Sequence, residues 1–175
     1  MASIKDKKYI LIPNFFSKKE LEILQPYCKN RVSGGMSFDK QSPFAPAYYK
    51  DPLMDSFLNL KKPLTEKISK LKLHATYAYW RYYIHGSILK DHKDRPSCEI
   101  SISACINNCG TKWPIHFEKN WIDMKIGDAV MYLGCEISHG RKPFRGIENA
   151  QVFFHYVDKN GPYKDYKGDT RKWLN

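Results

Sequence analysis

The sequence predicts a mainly β chain of the α+β class, with helices first and a strand-rich sandwich or barrel after them. Three observations predict it. From Leu73 onward the segments become short, aromatic or β-branched, and are separated by turn residues. Within that part, Cys98-Glu99-Ile100-Ser101-Ile102-Ser103-Ala104-Cys105-Ile106 alternates apolar and polar residues with period two, as a strand between two different layers does. Before Leu73 the signals are helical instead.

Lys8 to Ile12 reads as a short strand, stopped by Pro13-Asn14. Ser17-Lys18-Lys19-Glu20 has the capping-box pattern ahead of Leu21, Ile23 and Leu24, so a helix is expected over about 17–28. Residues 31–50 mix Gly34-Gly35, Pro43 and Pro46 with Phe38, Phe44, Tyr48 and Tyr49. They read as a long loop, either a lid over a pocket or an ordinary packed loop. Leu53, Phe57, Leu60, Leu64 and Ile68 recur at helical spacing, which predicts a helix over about 52–71. Tyr77–Ile84, Cys98–Ile106, Trp113–Phe117, Ala129–Leu133 and Gln151–Val157 are the expected strands. On Tyr77–Ile84, Trp80 and Tyr82 fall on the face opposite Tyr79, Arg81 and Tyr83 and read as core. The expected organisation is one domain, with helical support over about 1–72, a strand core over about 73–158 and a polar tail over 159–175.

Apolar residues make up 42% and aromatics 14% of the 175 residues, which excludes a disordered chain. No apolar run approaches the roughly 18 residues of a membrane span, so no membrane partner is expected. The first residues, Met1 to Lys8, lack an apolar signal core, and a cytoplasmic location is the expectation. Five cysteines, an odd number, argue against a disulfide framework; Cys105 and Cys109 lack the second pair a zinc site would need. The net charge of +11 keeps an acidic substrate or nucleic acid open as a partner, although the lysines are spread along the chain and no nucleic-acid motif accompanies them.

The chemistry is concentrated at His92-Lys93-Asp94 and at His139. Residues i and i+2 of an extended segment point to the same side, so His92 and Asp94 can meet one metal while a distant strand supplies His139. Two imidazoles and a carboxylate form the 2-His-1-carboxylate set that holds non-haem Fe(II) with open positions. The competing readings are an exposed polar turn over Lys90–Asp94 and a loop histidine at 139. His116-Phe117-Glu118 with His155 is a rival ligand set, but no Gly-Asp strand stands before His155, which reads as a core or pocket-lining residue.

The chain resembles the 2-oxoglutarate/Fe(II)-dependent dioxygenases, in particular their prolyl 4-hydroxylase-like branch. Four features carry the resemblance along most of the chain. They are the strand and Phe15-Phe16-Ser17-Lys18-Lys19-Glu20 opening, Tyr83-Ile84-His85-Gly86 ahead of His92-Lys93-Asp94, Gly127-Asp128-Ala129-Val130 ahead of His139, and Pro143-Phe144 with Gly146 after it. The resemblance implies a double-stranded β-helix (jelly-roll) core with two N-terminal helices packed outside. It implies His92, Asp94 and His139 as catalytic metal ligands and Fe(II) as the metal. It further implies 2-oxoglutarate and O2 as co-substrates, with succinate as a product, and it allows for ascorbate. A hydroxylase acting on a substrate carbon, in a peptide or amino acid such as a prolyl residue, follows from it. The family's usual Lys or Arg on the last core strand is missing, because Asn149 and Gln151 stand there. Arg141 is then the first candidate for the co-substrate carboxylate, Arg145 the second and Arg95 the third, with Tyr83 and Ser101 as hydroxyl partners. The same gap leaves room for a non-catalytic, cupin-like module that binds a metal or small ligand.

Overall fold

A computed structural model describes residues 3–33, 42 and 45–169. A short helix α1 (Ile4–Lys7) precedes strand β1 (Tyr9–Ile12). Helix α2 (Lys18–Ser33) starts where the capping box predicts: the Ser17 amide donates to Glu20 Oε2 at 2.7 Å and the Glu20 amide to Ser17 Oγ at 3.3 Å. It runs five residues past the expected end, through Pro26. Strand β2 (Ala47–Tyr49) lies inside the segment expected to be loop, and its Tyr48 ring stacks on Trp80 at 4.3 Å. Phe38 and Phe44, the other half of the lid expectation, fall outside the described residues. Helix α3 (Pro52–Ser69) is capped by Asp51, whose carboxylate accepts from the amides of Leu53 and Met54, with Pro52 in the first turn. Its buried face centres on Met54, Phe57 and Leu58, whereas Leu60, expected inside, is 62% exposed.

The remaining strands are β3 (Leu73–Ile84), β4 (Leu89–His92), β5 (Ile100–Asn107), β6 (Ile115–Phe117), β7 (Asn120–Ile122), β8 (Ala129–Leu133), β9 (His139–Arg141) and β10 (Glu148–Asp158). A six-stranded sheet has the order β1-β8-β5-β10-β3-β2 and a four-stranded sheet the order β4-β9-β6-β7. From β3 to β6, and again from β8 to β10, the chain passes between the sheets at each connection, which makes the core a double-stranded β-helix.

Period-two alternation divides the six-stranded sheet into two faces. Trp80 and Tyr82 on β3, Ile100 and Ile102 on β5, and Phe154 and Tyr156 on β10 pack with Phe16, Leu24, Met54 and Phe57 in one cluster beneath the helices. The intervening residues Tyr79, Arg81 and Tyr83, Ser101 and Ser103, and Gln151, Phe153 and His155 are all buried and fall on the opposite face, toward the four-stranded sheet. Residues of both sheets meet there in a second apolar cluster that includes Phe117, Val130, Tyr132 and Ile137. Gly127 has φ +89°, and a Cβ on it would come within 3.1 Å of the Phe16 carbonyl. Beside it, Asp128 accepts from the Asn14 amide at 2.9 Å, so the Gly-Asp turn ties the start of β8 to the start of the chain. No described helix is long and apolar enough to cross a membrane.

Candidate metal centre

β4 is a short strand whose last residue, His92, pairs directly with His139 on β9. Directly opposed residues of an antiparallel pair present their side chains on one face, and the two imidazole centroids lie 4.4 Å apart. Asp94 leaves the strand with its amide donating to the Gly134 carbonyl at 2.8 Å. Its Oδ1 stands 3.4 Å from His92 Nε2 and 3.6 Å from His139 Nε2. The ligand atoms of His92, Asp94 and His139 all lie within 4.8 Å of one another. The exposed-turn and loop-histidine readings of these residues therefore do not describe the fold.

The ring orientations fit a metal. His92 Nδ1 donates to the Lys90 carbonyl at 2.8 Å and His139 Nδ1 to the Ile137 carbonyl at 3.1 Å. A carbonyl can only accept, so each ring carries a proton on Nδ1 and turns its Nε2 toward Asp94, where that nitrogen gives up any proton of its own when a metal binds. Burial opposes charge on His92, but hydrogen bonds to Asp94 and Lys90 outweigh it and raise its pKa. Burial dominates at His139 and lowers its pKa. Burial would raise Asp94, yet the His92 hydrogen bond and the charges of His139 and His155 hold its carboxyl down at about 2. Two imidazole Nε2 atoms, which bind a metal once deprotonated, and an ionised carboxylate on one face are the donor set for a divalent iron, with further positions left for ligands.

The rival set does not assemble. His116 Nε2 pairs with Asp91 at 2.8 Å, and its ring lies 4.8 Å from that of Trp121. His116 stands opposite Gly140 on β9, one residue out of phase with His139, so it falls on the other face of the four-stranded sheet. His155 lies instead on the inward face of β10, with Nδ1 2.9 Å from Ser101 Oγ.

Arg141 is two residues beyond His139 on β9, so its side chain takes the same face about 7 Å further along the strand. Arg141 is 2% exposed. Its Nη1 donates to the Trp113 carbonyl, and Nη2 lies 3.5 Å from both Ser103 Oγ and Gln151 Oε1, while Nε is buried without a hydrogen-bond partner. It forms no ion pair with any described residue, and burial lowers its pKa. A guanidinium stays charged in a protein, so a buried one without a counter-charge calls for an anionic ligand. Its reach to Gln151 brings this cation from β9 up to β10, the strand that carries Asn149 and Gln151.

The other candidates divide. Tyr83 is fully buried, with its ring 4.7 Å from that of Trp113, and the Arg141 guanidinium lies over the Trp113 ring at 4.9 Å. Ser101 lies inward as expected, but its hydroxyl donates to Asp94 Oδ2 at 2.9 Å, so it is turned toward the carboxylate ligand. Arg145, the second choice, is exposed in the loop after β9, where the chain has left the strand, and does not share the buried position of Arg141. Arg95 is bound to Asp169 and lies over the Tyr77 ring at 5.0 Å, which removes the third choice from the interior. Sequence reasoning passed over Arg81, which is 1% exposed on the inward face of β3 and close enough for its charge to oppose that of His92. The alternation of Tyr79, Arg81 and Tyr83 was its one signal. The cysteines are all free, with Cys105 buried and Cys109 exposed.

No family model matches this chain, and no curated protein does. Solved structures do. A prolyl-4-hydroxylase from Pseudomonas putida is 16% identical with a TM-score of 0.72, over 86% of this chain and 92% of that one. A 2OG-Fe(II) oxygenase family oxidoreductase from Burkholderia pseudomallei is 12% identical with a TM-score of 0.66, over 94% and 90%. HygX from Streptomyces hygroscopicus, solved with nickel, 2-oxoglutarate and hygromycin B, is 12% identical with a TM-score of 0.68, over 87% and 84%. The fold of this chain is that of the 2-oxoglutarate/Fe(II) oxygenases, with their double-stranded β-helix core.

Proposed function

We propose that this protein is a 2-oxoglutarate- and Fe(II)-dependent oxygenase that hydroxylates a substrate carbon. The observation that carries the proposal is the convergence of His92, Asp94 and His139 with both Nδ1 protons taken by carbonyls. His92, Asp94 and His139 are the residues that would hold the iron. Bound there, it supplies the coupling of 2-oxoglutarate decarboxylation to oxidation of the substrate by O2.

The chain's own residues do the rest. The two imidazoles and Asp94 fix the metal on one side of the interior and leave the other side to ligands. Arg141 binds the far carboxylate of 2-oxoglutarate by charge-assisted hydrogen bonds, beside Ser103, Gln151 and Tyr83. Tyr83, Trp113 and Phe144, packed in one buried cluster, keep water from that pocket. The buried Arg141 also weighs against a non-catalytic module, since it provides the cation whose apparent absence suggested one.

For the substrate, an amino-acid carbon in a free amino acid or a peptide, prolyl residues first, is the class to test. The likeness in fold to a prolyl-4-hydroxylase supports it, and the +11 charge favours acidic sequence around the target. Incubation with Fe(II), O2 and 2-oxoglutarate should yield succinate. A chelator or Asp94→Ala should abolish it, with the variant still folded as an apo protein by circular dichroism. Absence of succinate from the iron-loaded wild type, tested with a panel of prolyl peptides and free amino acids, counts against the proposal.

A further inference from the structure

Asp94 is held by more than the two histidines beside it. We infer that His155 and Ser101 form a directional hydrogen-bond relay that fixes which oxygen of Asp94 faces the metal, an inference that rests on the metal-binding reading above. Both are positioning residues: neither is among the three donors that converge at the centre.

The two oxygens of Asp94 have different surroundings. Oδ1 faces His92 Nε2 and His139 Nε2, at 3.4 and 3.6 Å. Oδ2 accepts from Ser101 Oγ at 2.9 Å and lies against Gly134, where an added Cβ would come within 2.4 Å of it. Oδ2 is thus committed to the protein, and Oδ1 alone is free to bind a metal. Besides the Tyr132 hydroxyl, the Ser101 hydroxyl has three acceptor-capable neighbours for its one proton: Asp94 Oδ2 at 2.9 Å, the Cys98 carbonyl at 3.0 Å and His155 Nδ1 at 2.9 Å. The ionised carboxylate is the strongest acceptor of the three and takes it. His155 Nδ1 must then be the donor, so the protons point one way, from His155 to Ser101 and from Ser101 to Asp94.

The fold builds this chain of contacts rigidly. His155 on β10 and Ser101 on β5 are directly paired residues on the inward face. The imidazole packs against the Tyr77 ring at 4.6 Å, and Arg95, the residue after Asp94, lies over that ring at 5.0 Å. His155 is 4% exposed. A buried imidazole so fixed offers its Nδ1 proton in one direction only.

The test titrates the apo protein with Co(II), following affinity and the visible d–d absorption, alongside thermal melting of each apo chain. Ser101→Ala and His155→Leu should each weaken cobalt binding on the order of 10–100-fold and alter the absorption, because Oδ2 is freed to turn toward the metal. His155→Asn, whose amide N–H can donate from near the Nδ1 position, should restore affinity to within about threefold of wild type. A purely structural role for His155 would lower the melting temperature without this pattern of loss and rescue. The relay is overturned if Ser101→Ala and His155→Leu bind cobalt with wild-type affinity and spectrum. It is equally overturned if His155→Asn is as weak as His155→Leu. Should His155→Leu fail to fold, Ser101→Ala and His155→Asn still decide. Cobalt binding by wild type that is lost in Asp94→Ala separates the two readings: its absence overturns the metal site and the relay together, whereas its presence with unaffected relay variants overturns the relay alone.

Discussion

Gly134 leaves the metal centre no room for a side chain. A Cβ there would stand 2.4 Å from both Asp94 Oδ2 and the Cys98 carbonyl, and 2.9 Å from Ser101 Oγ. Gly134→Ala should therefore cost about 1–3 kcal/mol of stability by overpacking, with a larger relative loss of metal affinity because Asp94 itself must shift. Denaturant unfolding of the apo protein and a metal titration measure the two effects separately. The candidate ligands were legible in the sequence because their spacing is a local property: His92 and Asp94 share a side of an extended segment, and the Gly127-Asp128 strand start announces the approach to His139. His155, Ser101 as a partner of Asp94, and Arg81 were not legible in the same way. Their roles depend on which strands stand side by side, and the pairing of Ser101 with His155 spans 54 residues.

Short strands explain much of what the sequence left open. β9 is His139-Gly140-Arg141, three residues with little strand propensity, yet it carries both a candidate metal donor and the buried cation. Its extended form comes from pairing with β4 and β6, which no local pattern reveals. The long strands were readable from their alternation, the first long helix from its capping box and the second from the helical spacing of its apolar residues. Two predictions belong here. Arg141→Ala should raise the apparent KM for 2-oxoglutarate roughly 10–100-fold, the equivalent of about 1.5–3 kcal/mol for lost hydrogen bonds to a charged group. Arg145→Ala, on the exposed loop, should leave it unchanged. Initial rates of succinate formation against 2-oxoglutarate concentration compare them, and equal KM values for both variants and wild type would refute the assignment. At α3, Asp51 caps the helix and also accepts from Tyr27 Oη at 2.8 Å. Burial first, then the Asp51 hydrogen bond, raises the Tyr27 pKa to about 12. Asp51→Ala should cost about 2 kcal/mol, the upper end for a cap, read from urea unfolding; Asp51→Asn should recover most of it.

Across the whole molecule, the end of the described chain returns to the segment that carries Asp94. The polar composition after Asp158 reads as a tail lying on the surface, and among its described residues Asp169 is a buried anchor. Asp169, 4% exposed, binds Arg95 and accepts from Tyr49 Oη at 2.8 Å, while Lys50 Nζ donates to the Gly168 and Asp169 carbonyls at 2.9 and 2.6 Å. Arg95 directly follows Asp94 and lies over Tyr77, whose ring packs on Tyr49 at 4.9 Å and on His155 at 4.6 Å. The tail therefore tightens β2, the aromatic stack and the ligand segment in one connected unit. Removing its carboxylate leaves a half-buried Arg95 without its counter-charge. The cost should fall below the roughly 3–5 kcal/mol of a fully buried pair, because the Arg95 side chain keeps 30% of its surface in water. Asp169→Ala should thus lower stability by about 1–3 kcal/mol and also weaken metal binding, because the segment after His92 loses a restraint. Lys159→Ala, on an exposed residue of the same tail, should do neither. Unfolding and metal titration of the two variants would refute this coupling if Asp169→Ala lost stability while binding metal as tightly as wild type.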